Sequence, residues 1–530
     1  MTLQLETQPN GTPANAFETS EFDLYVRGMI PPCMAGSLII ATNRRHKSRP
    51  HFARWHDSQA DLLKLDLTPG RPGRVRASFL GVDPHWPSGS GGVGIAAGRG
   101  GGAAGRPASP FYVTQPNHGL NWRGDTVWAT NLLFGAPLEV DLRTWRPRRV
   151  LRFLEPSDER PQITSTSHFA WSLDGRYAYF HQSLLERERA GRPVRAADLT
   201  LFELDTATGR HRSWPIVPPA EDAWLAGANF HSAFYFEERG RRYVGLLRTG
   251  AVLEELAPHR VPTEHHVEPM EVSTIWVMEI DDAAPELRAH LLPGVRELGG
   301  YALSHLDIDA SSRNGFVLYA NYKQADVAEE THGVNLYGEA PEDVPEHYSG
   351  MLIEPFNYGK VIRYHRQDGA WSIDTFSRPY RPGQTSRGHS WLPINVELDA
   401  TKQHVFCSFA GFHPRLLPRH VAVAYKGLVA DVSTIAYVPP VLMRLDADTL
   451  EPDTDPKRRH LSYAEPVAFT LVPGDDGVGF VCTFSPEFGL RIYAADDLAT
   501  MVGHAVAADL MTYRDTHYRP MPAHMAFVPR

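Results

Sequence analysis

An all-β chain folded as a seven-bladed β-propeller, with long loops capping a central site, is the architecture this sequence predicts. Two observations predict it. A strand-and-turn unit ending in aspartate recurs seven times, and four histidines in strand-like segments lie far apart along the chain, as residues that meet on a propeller axis would. The seven units are LLKLDLTPG with Asp66, LEVDLRT with Asp141, LFELDTATG with Asp205, IWVMEIDD with Asp281, VIRYHRQDG with Asp368, LMRLDADT with Asp446 and RIYAADDL with Asp496. Each alternates apolar residues at period two, which marks a half-buried strand. The aspartate that follows can accept backbone N–H groups two residues on and so close a turn. A second strand comes next, as in HRSWPIV or WSIDTF. The first four aspartates are 75, 64 and 76 residues apart. That exceeds the roughly 40–50 residues of common propeller repeats and implies blades with long inserted loops. A β-sandwich of several hairpins is the competing architecture.

Composition sets the outer limits. A chain of 530 residues would suggest two to four domains by length alone, but a repeat architecture overrides that estimate. Residues 1–21 are expected to be disordered or extended, and residues 22–530 to form one propeller with a flexible Gly-rich insertion at about 87–108. The formal net charge of −9 argues against a nucleic-acid surface. Three cysteines (Cys33, Cys407, Cys482) are odd in number and widely spaced, which fits a reducing compartment and no disulfide framework. The opening MTLQLETQPNGTPANAFETSEF lacks the basic start and apolar run of a secretory signal, and no run of about 18 apolar residues occurs. A cytoplasmic protein is expected. Peripheral contact with a membrane is left open as a way to collect a lipophilic substrate, and no obligate protein partner is indicated.

The four histidines are His168 in TSTSHFAW, His231 in ANFHSAFYF, His305 in ALSHLDID and His524 in MPAHMAF. In a chain with 25 histidines, any one alone reads as a surface or satisfied core residue. Together they look like a metal centre. The inner strands of every blade converge on one axis, so separations of 63, 74 and 219 residues are no obstacle, and no H-x-x-x-H or C-x-x-C spacing is needed.

Over nearly its whole length the chain resembles the carotenoid cleavage oxygenases, the family of the retinal-pigment-epithelium isomerase and the lignostilbene dioxygenases. FDLYVRGMIPPCMAGSLI fits the family's opening through Val26, Gly28, Ile30, Pro31 and Gly36. RWHDSQADLLKLDL resembles its W-F-D-G-D-G-M segment but lacks both glycines. PNHGLNWRGDTVWA, SHFAWSLDGRYAYF, NFHSAFYF, SHLDID with the following NGF, and YAEPVAFTLVPGDDGVGF then come in family order. The resemblance implies that His168, His231, His305 and His524 ligate Fe2+. It also implies that dioxygen adds across an alkene to give two carbonyl products, in a site that takes a hydrophobic small molecule. Four neutral imidazoles suit iron, zinc or copper, so the preference for iron comes from the resemblance and not from ligand type.

The chain departs from the family around those ligands. Family members orient three of the histidines through glutamates that accept the distal ring N–H. Glu465 in YAEPV matches one of these and by the resemblance supports His524, but Leu133 and Trp391 stand where the other two are expected. A backbone carbonyl, or Glu397 or Glu139, is the expected substitute at His231 and His305. The altered surroundings leave open an iron-dependent isomerase or non-cleaving oxygenase, and a propeller that binds a lipophile without catalysis. Leu132 occupies the position of a lysine that binds phenolic oxygen in lignostilbene-type relatives. With Leu133 and Phe134 it makes an apolar patch that suits a polyene, although simple core packing explains it equally well. The long stretch from Tyr322 to Tyr364 is expected to cover the substrate entrance.

Other signals point elsewhere or nowhere. GVGIAA at 92–97 lies in a Gly/Ala-rich run with no strand before it, and so is not a phosphate cradle. The basic RRHKSRPHFAR from Arg44 reads as a solvated loop, with anionic lipid heads as its alternative contact. EHHVE at 264–268 has ligand-type residues that would alternate faces if extended. No nucleophile elbow is present.

Overall fold

The computed structural model describes residues 3–4, 18–46, 60–81, 119–130, 135–157, 159–160, 162–186, 196–222, 230–248, 273–298, 302–324, 358–376, 392–410, 441–455, 460–462, 468–475, 477, 479–485, 489–505 and 518–530. These form seven sheets of four to six strands arranged as a β-propeller, with no α-helix among the described residues. The Gly-rich insertion, the 325–357 portion of the long loop, EHHVE, and Leu132, Leu133, Phe134, Trp391 and Glu465 lie outside the described residues.

The recurrent aspartate units occupy one place in every blade. They are the third strand from the axis: Ala60–Thr68, Leu138–Asp141, Ala196–Asp205, Thr274–Glu279, Tyr358–Gln367, Val441–Asp446 and Gly489–Ala494. The aspartates close the following turn by different means. Asp141, Asp205, Asp281 and Asp446 accept backbone amides two or three residues on, at 2.7–3.2 Å. Asp368 acts through its backbone, because it and Gly369 both have positive φ (51° and 82°), as a two-residue hairpin turn of primed type requires. Two positions differ from expectation. Asp66 stays in its strand and accepts the Ser37 hydroxyl, and in the last blade it is Asp497, not Asp496, that accepts the amide two residues on.

Among the described residues, an apolar cluster lies between every pair of neighbouring blades and completes the ring. Ile39, Ala41 and Leu62 meet Val127, Leu138 and Val140 between the first two blades, while Leu38, Ile40 and Leu63 of the same strands meet Ala468, Cys482 and Ile492 of the last blade. One strand thus sends alternate side chains to two different interfaces. Inner strands therefore read as unbroken apolar runs instead of a one-sided alternation. Phe230–Glu238 is buried at all but one position, whereas the outermost strand of the fifth blade, Ala370–Phe376, has no buried residue.

Strands from opposite ends of the chain close the ring. Tyr518–Pro529 is the innermost strand of the first blade, paired along its length with Gly36–His46, and Val26–Gly28 is the outermost strand of the seventh. The segment before it also takes part, since Leu3–Gln4 pairs with Arg146–Val150 and Glu18–Leu24 edges the first blade. The glycines of the opening segment are needed here. Gly28 has φ +84°, and a Cβ on it would stand 2.5 Å from the Val502 carbonyl oxygen; a Cβ on Gly36 would stand 2.3 Å from that of Val528.

Leu38 is fully buried where the first and last blades meet. Leu38→Ala is expected to cost about 2–5 kcal/mol in urea unfolding, with the exposed Leu173→Ala within about 0.5 kcal/mol of the parent.

Candidate metal centre

Four blades each bring one histidine to the axis. His231, His305 and His524 lie on the innermost strands of the fourth, fifth and first blades, while His168 sits in the gap between Gln162–Ser165 and Ala170–Trp171 of the third. His168 is therefore not in a regular strand as expected. Its backbone is clamped instead: Ser167 and His168 donate N–H to the His231 carbonyl at 2.9 and 3.1 Å, and Ala233 donates to the His168 carbonyl at 2.8 Å. From the second blade, Asn121 donates to the Ser167 carbonyl and accepts the Phe169 amide at 2.6 Å, and the Thr130 hydroxyl also donates to Ser167.

The other three histidines sit at breaks in strand register. The ladder shifts between Phe230 and Ser232, between Leu303 and Leu306, and between Pro522 and His524. A bulge of this kind re-aims a side chain that strict alternation would send into an interblade core. The result is a compact group of rings. Centroids are 5.1 Å apart for His168 and His231, 5.2 Å for His168 and His305, 4.7 Å for His168 and His524, 4.6 Å for His231 and His305, and 4.5 Å for His305 and His524. One nitrogen from each of His168, His231 and His305 lies within 4.8 Å of the others, close enough to hold one metal ion.

Desolvation keeps two of these rings, His168 and His524, neutral. Burial pushes His168 down to about 4, and burial, with His168 adding to it, holds His524 well below the ordinary imidazole value. Neutral imidazoles keep the lone pair a metal needs. The donor set is chemically suited to a divalent transition metal, with no proton to displace from a charged ring.

The carboxylates expected to orient His231 and His305 are occupied elsewhere. Glu139 accepts the Trp128 indole N–H at 3.0 Å and Arg149 Nε at 2.9 Å. Glu397 accepts the Thr470 hydroxyl at 2.9 Å and the Leu471 amide at 2.8 Å. Uncharged groups stand at the two rings instead. Ser232 Oγ is 3.1 Å from Nδ1 of His231, whereas Asn321 Nδ2, which can only donate, is 3.2 Å from Nδ1 of His305 and so makes that nitrogen the acceptor, the reverse of a glutamate's role. Asn321 Oδ1 also collects the backbone amides of Ser304 and His305 and the Ser304 hydroxyl, which fixes the His305 bulge. Sequence reading missed both residues. Ser232 was visible only as the neighbour of a histidine, and Asn321 comes from the adjacent strand with no local signature.

A cavity of about 590 Å³ borders His168 and His524. Trp122, Trp171, Leu306 and Phe527 line it, with Asp307 and Glu397 as its acidic members. Burial raises both carboxyls: Asp307 to about 6, and Glu397 to about 8 with Asp307 adding to the effect.

No family model and no curated protein matches the sequence. Solved structures do match. The chain is similar to a mutant of Synechocystis apocarotenoid oxygenase at 14% identity, covering 99% of this chain and 98% of that one with a TM-score of 0.51. It is similar also to the cobalt-substituted form of the Synechocystis enzyme, at 14% identity, the same coverage and a TM-score of 0.50. The fold is thus shared end to end with the family that the sequence segments resemble.

Glu397, half-buried like Asp307, provides a test of the carboxyl pair that lines this cavity. Its folded pKa lies above the ordinary 4.5, so its protonated form favours folding. That contribution is complete below about pH 4.5 and is lost as pH rises through about 8. Glu397→Gln is expected to flatten the fall in melting temperature across that window, measured by thermal denaturation at a series of pH values.

Proposed function

We propose that this chain is a divergent carotenoid cleavage oxygenase, a non-haem iron(II) enzyme that cleaves a carbon–carbon double bond of a hydrophobic polyene with dioxygen. The observation that carries the reading is the meeting of His168, His231, His305 and His524 from four separate blades. Four rings converging from four blades, three of them at breaks in strand register, make an arrangement that a shared metal ion explains. The preference for iron over zinc or copper rests on the family segments in the sequence.

Iron(II) held by the four rings would supply the oxygen chemistry, in which one alkene and one dioxygen balance two carbonyl products. The protein's own part is geometric and electrostatic. The bulges at His231, His305 and His524 and the clamped loop at His168 fix the four donors, and desolvation keeps His168 and His524 unprotonated. By the resemblance, Glu465 accepts the outer N–H of His524. The apolar Leu132, Leu133 and Phe134 suit an alkene without a phenolate, such as a carotenoid or apocarotenoid. The odd number and wide spacing of the three cysteines, with Cys407 and Cys482 buried, fit a cytoplasmic setting.

Anaerobically purified protein is expected to carry close to one iron per chain, and His305→Ala to carry little. With an apocarotenoid added, oxygen uptake should match the double bonds cleaved one for one, with two carbonyl products by mass spectrometry. An iron-free protein that also fails to take up added iron(II) would leave a lipophile-binding propeller as the better account.

A further inference from the structure

We infer that Ser232 is the positioning residue for His231, doing with a hydroxyl and a peptide carbonyl what a glutamate does elsewhere in this fold. The inference rests on the metal-centre reading above and goes beyond it.

The argument begins at the carbonyl of Ser304. A carbonyl can only accept, and the Ser232 hydroxyl donates to it at 2.5 Å. The one hydroxyl proton of Ser232 is thereby used, so towards His231 the oxygen can only accept. Nδ1 of His231, 3.1 Å away, must therefore be the donor. The direction of the whole chain follows: His231 Nδ1–H to Ser232 Oγ, Ser232 O–H to Ser304 C=O. With the proton fixed on Nδ1, the neutral ring has its lone pair on Nε2, the tautomer a metal ligand needs.

The backbone explains why this carbonyl is available. Ser304 lies in the register break between Leu303 and Leu306, so its carbonyl turns across to the fourth blade. Asn321 takes the Ser304 and His305 amides on the other side of the same bulge. One irregularity in the fifth blade thus aims His305 and also supplies the anchor for His231. Ser232 is fully buried, so water does not compete for its hydroxyl. A neutral anchor gives the ring less negative charge than a carboxylate would, but it holds the same tautomer.

The test is a cobalt(II) titration of the metal-free full-length protein, followed by visible absorption against a competing chelator. The parent is expected to bind one cobalt and His305→Ala none. Ser232→Ala should bind about 10–100-fold more weakly, the usual effect of losing such a partner. Ser183→Ala is the control, because Ser183 makes the same kind of buried contact with His181 at 3.0 Å, and the His181 ring packs on Phe230. It should lower the melting temperature of the metal-free protein about as much as Ser232→Ala does, and leave cobalt affinity within about twofold of the parent. If Ser232→Ala does not fold, Ser232→Cys, whose sulfur is a weak acceptor, should show the same loss to a smaller degree. Cobalt affinity in the Ser232 variant within about threefold of the parent, while His305→Ala binds none, would overturn the inference and leave the metal centre standing. A parent that binds no cobalt would instead remove the metal centre itself.

Discussion

Pairing between Tyr518–Pro529 and Gly36–His46 is the constraint on which the rest of this molecule depends. It places a strand from one end of the chain on the axis of a blade begun at the other, and that strand carries His524. The fourth ring therefore joins the cluster only when the ring of blades is closed. Stability and the histidine cluster draw on the same hydrogen-bond ladder, and the close approach of Gly36 to Val528 is one of its requirements.

Within that frame, function is built from departures from regularity. A propeller strand left to its own alternation would send each histidine into an interblade core or onto the axis according to register alone. The bulges at His231, His305 and His524 break that rule locally, and at the first two the carbonyls of His231 and Ser304 find partners across blade boundaries. Ser304 illustrates the economy of the design. Its amide goes to Asn321 and its carbonyl to Ser232, so neither of its backbone groups is stranded while two of the clustered rings are placed.

The fold was legible because its repeating unit is local. Alternation followed by an aspartate is a short-range pattern, and in all seven blades it marks the same third strand. The exceptions are equally local: Asp66 found a hydroxyl partner in the neighbouring strand, and Asp497 did the work expected of Asp496. The four histidines were legible as a group through the family segments around them, and the structure brings them together. What could not be read was how they are held. A bulge is a property of pairing between two strands, not of either sequence, and the partners of His231 and His305 are a serine and an asparagine whose roles depend on those bulges. Glu139 and Glu397 were plausible by type, but Arg149 and the Leu471 amide claim them.

The interblade clusters have a kinetic consequence. Before the last strand docks, the flank of the first blade that carries Leu38 and Ile40 and the flank of the seventh that carries Ala468 and Ile492 are both uncovered. Joining them requires closing nearly the full length of the chain, a slow step whose entropic cost precedes any contact that rewards it. During that interval each open ring displays two apolar faces shaped for one another. The first-blade flank of one molecule fits the seventh-blade flank of another as well as its own. At high concentration the device that completes a monomer thus offers a head-to-tail route to association, and dilution during refolding favours the closed ring.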